Sequence, residues 1–168
     1  MTAMTSKPFI LIRTFDAPRK LVWEAMTQAE HLKHWMGPSG SLTYATVDLK
    51  PGGLFHYGMA MPDGTTMWGK WMFKEIVPPE KLVVLVSFSD ENKGDTRHPM
   101  APVWPLQTLS TTTLSEKDGK TTLHLHWTAY NATPEEQAVF DSMHDSMTQG
   151  WGGTMNALDA YLAKLQGK

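Results

Sequence analysis

From residue 41 to residue 130 apolar side chains recur with a period of two, and short turns cut the pattern; this restricts the possible folds more than any other feature. Segments 42–49, 54–61, 66–77, 81–89, 107–115 and 120–130 each read as a strand. Most of the breaks carry strong turn signals: KPGG at 50–53, PDGT at 62–65, VPPE at 77–80 and EKDGK at 116–120. Connections this short join antiparallel neighbours, because a parallel pair needs a crossover of about a dozen residues or more. With the β-branched and aromatic run PFILIRTF at 8–15, the pattern predicts about seven strands in one antiparallel sheet.

Helices flank the meander. Asp16 precedes Ala17 and Pro18, a cap-and-proline start for a helix over about 18–27, and a second short helix reads over 29–35 and stops at Gly37 and Pro38. At the other end Thr133, Pro134, Glu135 and Glu136 form a start signal with acidic residues in the first turn. A helix running unbroken from there to Leu165 would be about 48 Å long. The expected architecture is therefore α+β, a curved sheet gripping one long C-terminal helix, in a single domain over 1–168. The long connection 90–106 is the exception among the turns, and its Met100, Val103 and Trp104 predict a packed loop.

Composition removes several function classes. A net charge of -2 gives no electrostatic case for nucleic acid, and the absence of cysteine excludes disulfides, zinc-thiolate sites and a cysteine nucleophile. No apolar run approaches the span of a membrane helix and the N-terminus shows no signal-peptide pattern, so the expectation is a cytoplasmic protein without membrane insertion. The chain is rich in Met, with 12, and in Trp, with 7, residues that line adaptable or flat apolar surfaces.

The stretch MHDSMTQGWGG at 143–153 sets His144, Asp145 and Ser146 side by side. On one continuous helix these three diverge by about 100° per residue, which denies them the convergence of a catalytic triad. His144 instead joins a stripe with Phe140, Met147, Trp151, Met155, Leu158 and Leu162. Its ends, with Leu165, read as core; its middle, Met143, His144, Met147 and Trp151, reads as the wall of a partly open cavity. Gly150, Gly152 and Gly153 predict a kink or bulge there first, and self-association as a homodimer second.

Other constellations have plainer readings. His31 and His34 share a helix face but lack an identifiable third ligand, so a solvated surface is favoured and no metal is expected. His124 and His126 alternate with Leu123, Leu125 and Trp127, which places the histidines on the outer sheet face. Phe55, Tyr57 and Met59 share one face, as do Met67, Trp71 and Phe73, and both trios are expected to face the terminal helix.

Five segments then carry a resemblance: FDAPRKLVWEAMTQAEHLKHWMGP at 15–38, VDLKPGGLFHYGM at 47–59, PPEKLV at 78–83, DGKTTLHL at 118–125 and GWGGTMNALDAYL at 150–162. In this order they resemble the homologues of the C-terminal domain of the activator of heat-shock protein 90 ATPase, within the START-like superfamily often labelled SRPBCC. The resemblance implies a helix-grip fold with a deep cavity between sheet and terminal helix, used across the superfamily for lipids, sterols, polyketides and other hydrophobic ligands. It implies no single activity.

The resulting expectation is binding of a small hydrophobic or aromatic molecule, without a cofactor. The expected lining is Trp35, Tyr57, Trp71, Phe73, Trp104, Met143, Met147 and Trp151, with His144, and His98 beside Arg97, as orienting polar groups. Two alternatives stand beside it. One is a cyclase- or hydrolase-like enzyme using His144 or His98 as general acid or base, and the other a co-chaperone-like interaction module.

Overall fold

The computed structural model describes residues 7–36, 42–98 and 101–168, so the expected Gly37–Pro38 helix stop and the Met100 anchor lie outside the described residues. The chain runs β1 (Phe9–Phe15), α1 (Arg19–Thr27), α2 (Ala29–Trp35), β2 (Leu42–Val47), β3 (Leu54–Ala60), β4 (Thr66–Val77), β5 (Lys81–Ser89), β6 (Asp95–Thr96), β7 (Gln107–Lys117), β8 (Lys120–Tyr130), α3 (Pro134–Ser142) and α4 (His144–Leu165). The strands form one antiparallel sheet in the order β1-β8-β7-β5-β4-β3-β2, with β6 pairing β5 at the side. Eight strands therefore replace the seven expected. The eighth is a two-residue piece inside the 90–106 connection, too short to leave a periodic signal.

The alternation read in the sequence appears as two different sheet faces. In β8 Leu123 and Leu125 are buried, whereas His126 is exposed on the opposite side. The concave face packs on α4 through Met155, Leu158 and Leu162, and full burial of a leucine contributes about 1.5–3 kcal/mol. Leu165, expected in that core, is 40% exposed because it lies in the last turn, beyond the cover of the sheet.

The start of α1 differs from the expected aspartate cap. Pro18 occupies the cap position, and the free Arg19 N–H donates instead to Glu116 Oε2 at 2.9 Å. Asp16 is drawn away by Lys168, whose Nζ approaches its carboxylate to 3.1 Å. At α3 the expected signal is realised as a full capping box, with Thr133 and Glu136 each accepting the other's backbone N–H.

The long C-terminal helix is interrupted, but not at the glycines. Met143 leaves the helical region at φ -99° and ψ 6°, its N–H closing a tight turn onto the Phe140 carbonyl. Ser142 Oγ also bonds back to the Val139 carbonyl, at 2.8 Å, so side chain and backbone together end α3. Helix α4 then continues through Gly150, Gly152 and Gly153 to Leu165. Each glycine weakens the helix, which is the reason to expect a bend, yet one turn of weak propensity inside 22 residues is carried by the packed stripe on either side.

Candidate functional site

Sheet and helix do not meet everywhere: between them lies a cavity of about 430 Å³. Its walls come from every layer. Trp35 closes one end, fixed by its indole N–H donating to the Ala25 carbonyl at 2.8 Å. Tyr57 and Trp71 project from β3 and β4, where the alternation of the two strands turns both inward, and Phe55 supports them with ring centroids 4.9 Å from each. Gly69, the cross-strand neighbour of Tyr57, makes room for it: a Cβ there would stand 2.4 Å from the phenol.

The opposite wall is built by α4 and the long connection. Met143, Met147 and Trp151 reach the cavity from the helix, and Ala101, His98 and Trp104 from the loop. Trp127 of β8 joins them; its ring lies 6.1 Å from Trp104, 5.4 Å from Phe140 and 6.0 Å from Trp151. Of the expected anchors Trp104 packs inward while Val103 is exposed, and Arg97 ties the loop down by an ion pair with Glu136 and a 3.3 Å hydrogen bond to the Trp104 carbonyl. Arg97 is thereby committed to the loop, not to the cavity where the sequence placed it.

Two expected lining residues lie elsewhere. Phe73 is 1% exposed and belongs to the solid core beside the cavity. His144 turns away, its ring 5.8 Å from Phe9 and 5.6 Å from Phe140, with Nε2 buried and unpartnered among the described residues. Helix α3 ends at Met143, directly before His144, whereas Met147, Trp151, Met155, Leu158 and Leu162 keep the inward stripe that a wheel started at Phe140 gives them. Ser146, which that wheel set on the far side, lines the cavity.

Sequence reasoning also missed the polar stripe on the floor. Thr108, Ser110 and Thr112 alternate along β7 and face inward, flanked by Val84 and Leu82 of β5 and by Trp127 and Leu125 of β8. Period-two spacing was present, but hydroxyl side chains give no apolar signal to say which face is inside. The histidine pair on α2 lies at the surface, with His34 exposed and His31 half-buried, and is engaged by Tyr161 of α4, which bonds His31 Nδ1 at 2.6 Å and stacks on His34 at 5.1 Å. Among the described residues no three His, Cys, Asp or Glu side chains gather as metal ligands.

The cavity repels charge. Among the described residues no Asp, Glu, Lys or Arg lines it. Burial alone pushes the Tyr57 phenol up to about 12, so it remains a neutral hydrogen-bond donor. Burial also holds His98 below its ordinary 6.5, so this ring faces the cavity mainly neutral at pH 7. The stability it contributes is complete above 6.5 and is lost as pH falls through the lowered value.

Solved structures share this fold. A protein from Arthrobacter aurescens is 27% identical with a TM-score of 0.75, the match covering 95% of this chain and 87% of that one. Protein Ms6760 from Mycobacterium smegmatis is 25% identical with a TM-score of 0.72, covering 92% and 90%. A protein from Rhodobacter sphaeroides, 24% identical with a TM-score of 0.76 over 96% and 95%, shares the fold. No curated protein matches the chain. The α+β helix-grip architecture and the match of residues 16–163 agree, and the chain belongs to the family of Activator of Hsp90 ATPase homolog 1-like proteins.

Proposed function

We propose that the protein holds a small hydrophobic or aromatic molecule in the concave cavity. The observation that carries this reading is the lining itself: Trp35, Trp71, Trp104, Trp127 and Trp151, five of the chain's seven tryptophans, border one 430 Å³ space. Ligand pockets usually enclose about 300–1,000 Å³ and combine apolar walls with a few polar groups. A void of that size inside a core would otherwise cost stability, because its lining lacks partner atoms. The superfamily resemblance supports the same use of the same place. With His144 facing Phe9, His98 is the histidine in position to touch a ligand.

The neutral dye Nile red tests the reading. Saturable uptake with quenching of tryptophan emission is expected, and Trp151→Ala should weaken it about tenfold, equivalent to about 1.4 kcal/mol. Failure of the wild-type protein to take up the dye would overturn the proposal.

A further inference from the structure

We infer that the cavity selects uncharged ring systems carrying ketone or hydroxyl oxygens, and that Tyr57, Ser110 and Thr112 are the groups that read those oxygens. This rests on the pocket reading above and adds the chemical class. Four buried side-chain atoms lack a partner among the described residues: His56 Nδ1, Trp127 Nε1, Gln137 Oε1 and His144 Nε2. The hydroxyls of Tyr57, Ser110 and Thr112 make no side-chain hydrogen bond among the described residues either, yet they are absent from that sealed set although all three residues line the cavity. They are therefore open to the cavity and unspent.

Their placement is selective. Ser110 and Thr112 stand on the same face of β7, about 7 Å apart at ~3.4 Å per residue, each between apolar cross-strand neighbours: Val84 and Trp127 beside Ser110, Leu82 and Leu125 beside Thr112. Tyr57 projects from β3, separated from β7 by β4 and β5. A ligand lying on the aromatic walls thus meets a phenol on one side and a hydroxyl pair on the other. A hydrocarbon would leave these groups dry and unpaired, at about 1–3 kcal/mol for each one buried. A carboxylate would be worse, since among the described residues no cation lines the cavity to offset its desolvation. The burial that keeps the Tyr57 phenol protonated acts against any anion placed beside it.

Displacement of Nile red by 2-acetylfluorene, 2-ethylfluorene and fluorene-2-carboxylate at pH 8 tests the selectivity, because the three share shape and differ in the group offered. The ketone should displace the dye at about a tenth of the concentration the hydrocarbon needs, a difference of about 1.4 kcal/mol, and the carboxylate should be the weakest. In Tyr57→Phe or in Ser110→Ala, according to which group the single carbonyl meets, the ketone-to-hydrocarbon ratio should fall toward one, while Gly153→Ala, on the outer face of α4, keeps it. Carboxylate binding as tight as the ketone, or a ratio unmoved in both cavity variants, overturns the inference while dye uptake leaves the pocket reading standing. Uptake of neither dye nor any fluorene overturns the pocket reading and this inference with it.

Discussion

The two faces of the sheet spend the same kind of side chain in opposite ways. On the convex face His56 is 1% exposed, stacks on Trp68 at 5.1 Å and meets Tyr44 edge-on at 5.5 Å. Its Nε2 donates to the Asp90 carbonyl at 3.0 Å, and Lys70 bonds the Lys93 carbonyl at 2.8 Å, so the turn after β5 lies directly on the cluster. On the concave face a larger set of aromatic rings leaves 430 Å³ empty. The difference lies in what comes from the other side. A turn can settle onto a sheet until contact is complete, whereas α4 is rigid and is held off by Met155, Leu158 and Leu162 at one end and by the aromatic rings around Trp127 at the other. Aromatic content supplies the surface, and the spacing of the layers decides whether that surface encloses a void.

Glycines flank both places and allow the contrast to be broken. Gly58→Ala would set a methyl 2.9 Å from Trp68 Cζ3, with the ring pinned on His56. Overpacking of this kind costs about 2 kcal/mol, so the urea midpoint should fall while Nile red affinity is retained. On the concave side Gly69→Ala would press on Tyr57 at 2.4 Å, and the ring can yield into the empty space. Here affinity should fall about tenfold, or about 1.4 kcal/mol, with a smaller loss of stability. If both variants lose stability alone, the concave face is as solid as the convex one.

The loop that closes the cavity gives a weaker effect. Arg97 is half exposed, and removal of a pair of this kind costs at most about 1 kcal/mol. Arg97→Ala should speed amide exchange across 95–106. Glu136 carries a pH signature: the Thr133 N–H first, and Arg97 after it, hold its carboxyl below the ordinary 4.5 against the effect of burial. Its stabilisation is therefore complete above 4.5 and is lost as pH falls through the lowered value. Glu136→Gln should flatten that acid limb in urea unfolding, and an unchanged limb would assign it to other carboxylates. The smallest effect is expected at Gly153, where an added Cβ meets nothing within 4 Å. Gly153→Ala should stabilise by about 0.5 kcal/mol, with the melting temperature as the readout.

Much of the architecture was legible because it rests on local signals. Turn residues at 50–53, 62–65 and 116–120 mark hairpins that form as expected. The inward set of β8 comes from strict alternation, and the capping box at Thr133 from spacing alone. Trp35, Tyr57, Trp71, His98, Trp104, Met143, Met147 and Trp151 all border the cavity, most of them for the same reason. The misplacements are local. The expected places of His144 and Ser146 rest on one continuous helix, which is broken at Met143, although Met147, Trp151, Met155, Leu158 and Leu162 keep their expected side. Phe73 is on the expected face, but a shared face does not distinguish a wall from a filled core.

The sequence by itself determined the order of elements, the antiparallel pairing of most neighbouring strands and the inward face of most strands, because periodicity and turn chemistry act over a few residues. Tertiary structure alone decided three other matters: that Tyr161 engages both α2 histidines, that Arg97 serves the loop, and that hydroxyls of β7 stand open in an apolar cavity. Each depends on residues brought together from distant parts of the chain. Whether two packed layers touch or leave a gap is set by the sum of side-chain volumes between them, a quantity no local pattern contains.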